Sequence, residues 1–311
     1  MIQTLELFGG VGAPRCALRN LGIPIKAIDY VEIDEKPVKS YNEMFRTELE
    51  YKTQSVIGWN LKPDILIHGS PCQNFSIAGK QEGADENSGT ESSLMWETLN
   101  IIEQMGMWKP RVVIWENVKN VISKHMVHNF AKYQEKMAKM GYVSNYAVLN
   151  AIDFGLAQRR ERIFTVSCLD GTFFNFETLE RKKMRNIKEF LENTTEEKYL
   201  VTQPSMLKRI NNKNGNFKGR VEVIKDYCNT ITTKQMRCPN AGVIDLGNGK
   251  FRYLTEKECW RLQGFNDEDF EAALRANPGT LGKMNGALYR QAGNSMPVPI
   301  LESIFKQLLN F

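Results

Sequence analysis

A chain of 311 residues with 42% hydrophobic and 25% charged residues can bury one large core with a smaller unit beside it, and its composition excludes disorder, collagen and coiled coil. No apolar run approaches the roughly 20 residues of a membrane helix. The start, Met1-Ile2-Gln3-Thr4-Leu5-Glu6, lacks the basic flank of a signal peptide, so a cytoplasmic protein with no membrane partner is expected. The net charge of +5 is local: residues 174–250 hold 15 Lys and Arg against 9 Asp and Glu, and the remainder holds 26 against 27. A basic, Asn-rich segment in an otherwise neutral chain suits either a phosphate backbone or a solvated loop face, and charge alone does not choose between them. The six cysteines, at 16, 72, 168, 228, 238 and 259, form no C-x-x-C pair. Reduced thiols and no metal are expected. His125 and His128 have a spacing that could share a metal but no ligand-like neighbour, and are read as lying on a surface helix.

Thr4 to Phe8 reads as a strand, followed by the turn Gly9-Gly10-Val11-Gly12 and a helix from Pro14 to Leu21 with proline in its first turn. Ile25–Ile33, Asp64–Gly69 and Val112–Trp115 are continuous apolar runs of the kind that form strands buried on both faces. Helical stretches at Val38–Met44, Leu94–Met105 and Phe130–Met140 lie between and after them, the last capped by Gly141. This alternation predicts an α/β fold with a mostly parallel sheet and helices on both faces. The glycine-rich stretch Ser76–Ser93 breaks the rhythm and reads as a mobile loop, more often a functional lid than an accident. From Phe174 to Leu246 short strand-like pieces, such as Val221–Ile224 and Thr230–Thr232, alternate with turns like Gly247-Asn248-Gly249.

In open α/β sheets ligands bind beyond the carboxyl ends of the strands, so Gly10-Val11-Gly12 and the acidic Glu32 should face one crevice, where a nucleotide-like cofactor fits. A dinucleotide fingerprint wants a small residue at its third site, but Arg15 stands there, which argues against a nicotinamide cofactor. Cys72, in Gly69-Ser70-Pro71-Cys72-Gln73, directly follows a buried strand and could be a nucleophile, although an isolated cysteine is more often a small buried hydrophobe. Glu116-Asn117-Val118 follows another buried strand and should bring a carboxyl to the same sheet edge. In Gln158-Arg159-Arg160-Glu161-Arg162, strand alternation would turn Arg160 and Arg162 toward one face; alone, such a pair suits a salt-bridged surface strand.

Together these segments resemble the DNA (cytosine-5) methyltransferases of bacterial and phage type. The likeness covers nearly the whole chain in the family's motif order: Phe8–Gly12, Pro71-Cys72-Gln73, Glu116-Asn117-Val118, Gln158–Arg162, Arg252–Thr255 with Arg261–Phe265, and Gln291-Ala292-Gly293-Asn294-Ser295. The resemblance implies a Rossmann-like S-adenosylmethionine-dependent methyltransferase fold. Residues 1–173 and 282–311 would form the catalytic domain, and 174–281 a small inserted target-recognition domain, variable at about 174–250. It implies methyl transfer to C5 of a cytosine flipped out of a specific double-stranded DNA sequence, by a monomer without a metal. Cys72 would add to C6 while Glu116, with a carboxyl pKa raised by burial, binds or protonates N3, and Arg162 and Arg160 hold the O2 edge. The cofactor residues would be Phe8, Gly10, Gly12, Glu32, Ile33, Gln54, Asn294 and Ser295, with Gln54 standing where relatives usually present an acidic residue to the adenine amino group. Ser76, Lys80 and Gln81 would meet DNA from the loop after Cys72. Arg220, Thr230, Thr232, Lys234, Gln235 and Arg237 are the candidates for sequence reading or phosphate contact, since Arg and Gln can read base edges and Lys neutralises phosphate. A transfer-RNA methylating branch uses the same motifs and is the nearest rival; a catalytically dead DNA-binding relative is disfavoured, because no residue capable of the chemistry is missing.

Overall fold

The computed structural model describes residues 2–47, 50–57, 63–71, 85, 90–211 and 221–310. Cys72, Ser76, Lys80, Gln81 and Arg220 lie outside the described residues, as does most of the expected loop 76–93. The first half alternates as the apolar runs predict: β1 (Ile2–Leu7), α1 (Ala13–Asn20), β2 (Ile25–Val31), α2 (Glu35–Met44), β3 (Ile65–His68), α3 (Met95–Gln104), β4 (Val112–Val118), α4 (Val127–Lys139), β5 (Val143–Asn150) and β6 (Glu161–Cys168). These strands form one sheet in the order β2-β1-β3-β4-β6-β5. The pairs β1/β2, β1/β3 and β3/β4 are parallel, whereas β6 runs antiparallel to both β4 and β5.

Strand periodicity divides the core. Ile65, Ile67, Val112, Ile114, Phe164 and Val166 point to the face covered by Cys16, Ala17 and Leu18 of α1 and by the C-terminal helices. Their neighbours Leu66, Val113, Trp115 and Ile163 point to the other face, against Leu99 and Ile102 of α3 and Phe130, Tyr133 and Met137 of α4. A residue pattern that is apolar on both sides of the strand is what a doubly covered sheet requires.

Arg15 does not obstruct the packing of α1. Its buried guanidinium donates to the Tyr41 hydroxyl at 2.7 Å, and that hydroxyl donates to Glu6 Oε1 at 3.1 Å. The same guanidinium lies 4.6 Å from the centre of the Phe45 ring. A buried carboxyl, phenol and guanidinium are thus chained together beneath the glycine turn. Burial is the main influence on Glu6 and raises its pKa to about 7, against the pull of Arg15 and the Tyr41 hydrogen bond.

The second half continues with α5 (Pro204–Asn211), the hairpin β7 (Ile244–Gly247) and β8 (Lys250–Arg252), then α6 (Glu256–Arg261), α7 (Asp267–Ala276), α8 (Gly286–Asn294) and α9 (Val298–Leu308). The hairpin turns through Gly247, Asn248 and Gly249, all at positive φ. Val221–Ile224 makes only an isolated bridge, Val223 to Val243, and Thr230–Thr232 is irregular. A separate small core joins Val201, Met206, Ile210, Val221, Val243, Phe251 and Tyr253. By contrast α7 packs on α2, and Arg19 of α1 pairs with its Asp269 at 2.8 Å. That small core draws on residues 201–253, whereas α7 packs against α2.

Candidate active site

A cavity of about 530 Å³ opens at the carboxyl ends of β1, β2, β3 and β4. β2 lies on one side of β1 and β3 on the other, so the chain changes direction across the sheet here and leaves a crevice. One half of the cavity is built by the glycine turn. Phe8 has φ 55°, an uncommon conformation for an aromatic residue and the kind of local strain found at ligand sites. Gly10 N donates to Glu32 Oε2 at 3.0 Å, while Ile33 N and Asp34 N donate to Oε1 at 2.9 and 3.0 Å. Burial holds the Glu32 carboxyl above its usual range despite these amides. Three amides leave Oε2 with a lone pair for a hydroxyl. Ile33 and Ile57, 74% and 69% exposed, join Val56 and Gln54 as an apolar slot in the cavity wall.

Of the expected cofactor residues, Phe8, Gly10, Glu32, Ile33, Gln54, Asn294 and Ser295 line this cavity. Gly12 does not. Its φ is 74°, and a Cβ there would fall 2.5 Å from the Tyr41 ring, so close packing at the start of α1 requires a glycine at this position.

The other half of the cavity carries the acid and the arginines. Glu116 and Asn117 lie within β4 rather than beyond it, because β4 extends to Val118 by pairing with β6. Glu116 Oε1 lies 3.2 Å from Arg162 Nε, with each side chain only 12–13% exposed. Burial raises the pKa of Glu116, and the charges of Arg162 and Arg160 oppose that rise. The end of β3 abuts this pair: a Cβ on Gly69 would lie 3.8 Å from Glu116 Oε2 and 2.8 Å from Met296 Cε. Trp115 Nε1 donates to Ser70 Oγ at 2.9 Å and Asn117 Nδ2 to Ser70 O at 3.1 Å. The chain is thereby fixed up to Pro71, the residue before Cys72, in the wall of the same cavity.

Arg160 differs from the expectation that it holds a base. It is buried, and its Nη1 donates to Ile231 O at 3.0 Å while Nη2 donates to Gly293 O and Ser295 O at 2.9 and 2.8 Å. Those donors tie two stretches of main chain, at residue 231 and at residues 293–295, so that Arg160, although it lines the cavity, has these donors engaged with the fold, while Arg162 is the one that meets Glu116. Gln235 is corrected as well. It is fully buried, with Oε1 accepting from Ala241 N at 3.2 Å and Nε2 donating to Gly242 O at 3.4 Å, so it folds its loop and reads no base. The Thr230 hydroxyl donates to Arg159 O at 2.9 Å. Lys234 and Arg237 are exposed and Thr232 half-buried. His128 pairs with Asp85 at 2.8 Å on the exposed surface of α4, and among the described residues no group of His, Cys, Asp or Glu could hold a metal ion. Ser70 and Met296 escaped the sequence reading. Ser70 adjoins the cysteine motif and could have been found there, while Met296 carries no chemical signal.

The C-5 cytosine-specific DNA methylase family model matches residues 2–310. The chain belongs to that family. Among relatives of this methylase, the Type II methyltransferase M.Bsp6I of Bacillus sp. (strain RFL6) is 31% identical over 99% of this chain and 100% of its own length. The Type II methyltransferase M2.ScrFI of Lactococcus lactis subsp. cremoris is 29% identical over 99% of both. The solved structure of the Entamoeba histolytica methyltransferase EhMeth superposes with a TM-score of 0.78 at 18% identity, covering 100% of this chain and 98% of that one, a likeness of fold. The methylase uses S-adenosylmethionine to methylate C5 of cytosine in DNA. The cavity fits that donor: it offers a remaining carboxylate lone pair at Glu32 for a ribose hydroxyl and an apolar slot at Ile33, Val56 and Ile57 for a purine.

Proposed function

We propose that Cys72 is the nucleophile of a base-flipping methylation of double-stranded DNA, with Glu116 and Arg162 as its partners on the pyrimidine. S-adenosylmethionine supplies an electrophilic methyl group when bound. Cytosine C5 is a weak nucleophile, and covalent addition at C6 divides one difficult step into two easier ones. The Cys72 thiolate forms a bond to C6 while Glu116 donates a proton or hydrogen bond to N3, which turns N3–C4–C5 into an enamine. C5 is then methylated, with the donor's sulfonium leaving as a neutral thioether; the C5 proton passes to a base, N3 returns to Glu116 any proton it took, and the C6–S bond breaks to return the thiolate. Arg162 holds Glu116 and the adjacent O2 edge, and Arg160 keeps the surrounding main chain in register. The target must leave the base stack, at roughly a few kcal/mol.

Exposed Lys234 and Arg237, with Thr232, are the described candidates for DNA contact in the basic segment, and Ser76, Lys80, Gln81 and Arg220 extend that set. The enzyme is proposed to act as a monomer on a specific sequence, in the cytoplasm. No described helix is long and apolar enough to cross a membrane. The observation that carries the reading is the Glu116–Arg162 pair, buried in the donor's cavity and abutting the strand end that leads to Pro71.

The test traps the bond. Random-sequence duplexes with 5-fluorocytosine in place of cytosine are incubated with enzyme and S-adenosylmethionine, then denatured. Fluorine at C5 cannot leave as a proton, so a denaturation-resistant adduct should form with wild type and be absent with Cys72→Ala. An adduct that persists in Cys72→Ala, or wild type that methylates ordinary duplexes yet forms none, would overturn the assignment.

A further inference from the structure

Phe8 and Gly10 both have positive φ, 55° and 54°, and Gly9 between them passes over the ring of Tyr30: a Cβ on Gly9 would fall 2.5 Å from Tyr30 Cε2. Tyr30, near the end of β2, is fully buried, stacks on Tyr41 with ring centres 3.7 Å apart, and is no part of the cavity wall. It therefore lies behind the turn. Its hydroxyl donates to Gly10 O at 2.5 Å. Burial, and after it the carboxylates of Glu32, Glu6 and Asp34, hold Tyr30 well above the usual phenol range, so the hydroxyl keeps the proton it donates. Two peptide planes meet at Gly10. The plane shared with Gly9 is fixed by Gly10 N, which donates to Glu32 Oε2 at 3.0 Å. The plane shared with Val11 is fixed at its oxygen by Tyr30. Carbonyl and N–H of a trans peptide point in opposite directions, so an oxygen held behind the turn leaves the Val11 N–H facing the cavity, whose wall Val11 shares. No described residue accepts from that amide.

We infer that Tyr30 is a positioning residue for the methyl donor: its hydroxyl keeps the peptide between Gly10 and Val11 turned so that the Val11 amide meets the donor's amino-acid end. Along the cavity, the apolar slot at Ile33, Val56 and Ile57 takes the purine and Glu32 the ribose, and the glycine turn borders the path from there toward Glu116. An amide on that path suits a carboxylate. Tyr30 touches no ligand and acts through the peptide. Glycine takes either sign of φ with ease, so without the hydroxyl the plane beyond Gly10 can turn over and set a carbonyl oxygen against the carboxylate. Gly9 is the other half of the device, since only a residue without a Cβ lets the ring lie where it does. The inference rests on the reading of this cavity as the donor's site.

Calorimetric titration of the full-length enzyme with S-adenosylhomocysteine and with 5′-methylthioadenosine, which lacks the amino-acid end, tests it. Tyr30→Phe keeps the ring and removes the hydroxyl. Its preference for S-adenosylhomocysteine over 5′-methylthioadenosine should be about tenfold smaller than that of wild type, the effect of one hydrogen bond to a charged group, while its affinity for 5′-methylthioadenosine stays within about threefold. Gly9→Ala, which displaces the ring, should narrow the preference in the same way, and adding Tyr30→Phe to Gly9→Ala should change nothing further. The two substitutions reach one peptide from opposite sides, so either decides the matter should the other fail to fold. The ratio is taken within each protein, so partial misfolding does not mimic the result. Tyr30→Phe that keeps the wild-type ratio, or that weakens both compounds equally, would overturn the positioning role alone. Wild type that binds both compounds equally would show that the amino-acid end does not lie at the turn, and would overturn the placing of the donor along with the inference.

Discussion

Glu116 is placed where one buried side chain can serve both acid chemistry and base recognition. Its nearest charge is Arg162 at 3.2 Å, which favours the carboxylate, yet burial outweighs it and raises the pKa. A carboxyl held above its usual range is better able to carry a proton near neutral pH. Glu116→Gln keeps the shape and a hydrogen-bond donor but removes the transferable proton. Single-turnover methylation should fall about 10²-fold, the ordinary contribution of a general acid, with DNA affinity nearly unchanged. A rate within a few-fold of wild type in rapid-quench measurements would show that hydrogen bonding alone suffices. The motif letters bring Glu116 and Arg162 forward as candidates, and the two side chains meet at 3.2 Å. The letters could not separate Arg162 from Arg160, because the sequence does not say which guanidinium is met by the carbonyls of residues 231, 293 and 295. Gln235 was misread for the same reason: its partners, Ala241 N and Gly242 O, come from a turn that no local pattern announces.

Among elements, the strands were the most legible, since Ile65–Ile67 and Val112–Trp115 are apolar on both faces and can only be doubly covered. The antiparallel β6 was not, because its direction depends on the short return from β5 rather than on its own residues. The joint between α8 and the basic segment was also hidden. A Cβ on Gly293 would stand 2.5 Å from Thr232 C and from Thr233 N, a distance at which main chain has to move. Gly293→Ala is expected to destabilise the fold by about 1–3 kcal/mol and to raise the KM for DNA more than the KM for the methyl donor. Urea denaturation with steady-state kinetics checks both; unchanged stability would mean that the two segments part without resistance.

For the molecule as a whole, the Glu6–Tyr41–Arg15 cluster beneath the glycine turn links the first strand to the first two helices. Burial raises the pKa of Glu6 to about 7 in the folded protein, against 4.5 for an ordinary glutamate. Between those values the folded state binds more protons than the unfolded chain, so stability falls as pH rises. The contribution is fully present below about pH 4.5 and is lost as pH passes through about 7. Glu6→Gln should lack this decline. The stability of wild type relative to the variant should drop by on the order of 3 kcal/mol from pH 4.5 to 8, measured as paired urea midpoints at each pH. Parallel pH curves for the two proteins would show that Arg15 keeps Glu6 ionised throughout. Neither the burial of Glu6 nor its partners could be read from the motif, where the same letter would serve as an exposed strand residue.

Arg160 Nη1 grips Ile231 through its carbonyl. Gln158 Oε1 accepts from the amide of the same residue at 3.0 Å, and Gly293 meets bare backbone at Thr232 and Thr233. These contacts hold the path of the peptide, and the Ile231 side chain anchors it in the main core. Stretches farther along can diversify, exchanging one target preference for another, while the reaction chamber keeps its shape.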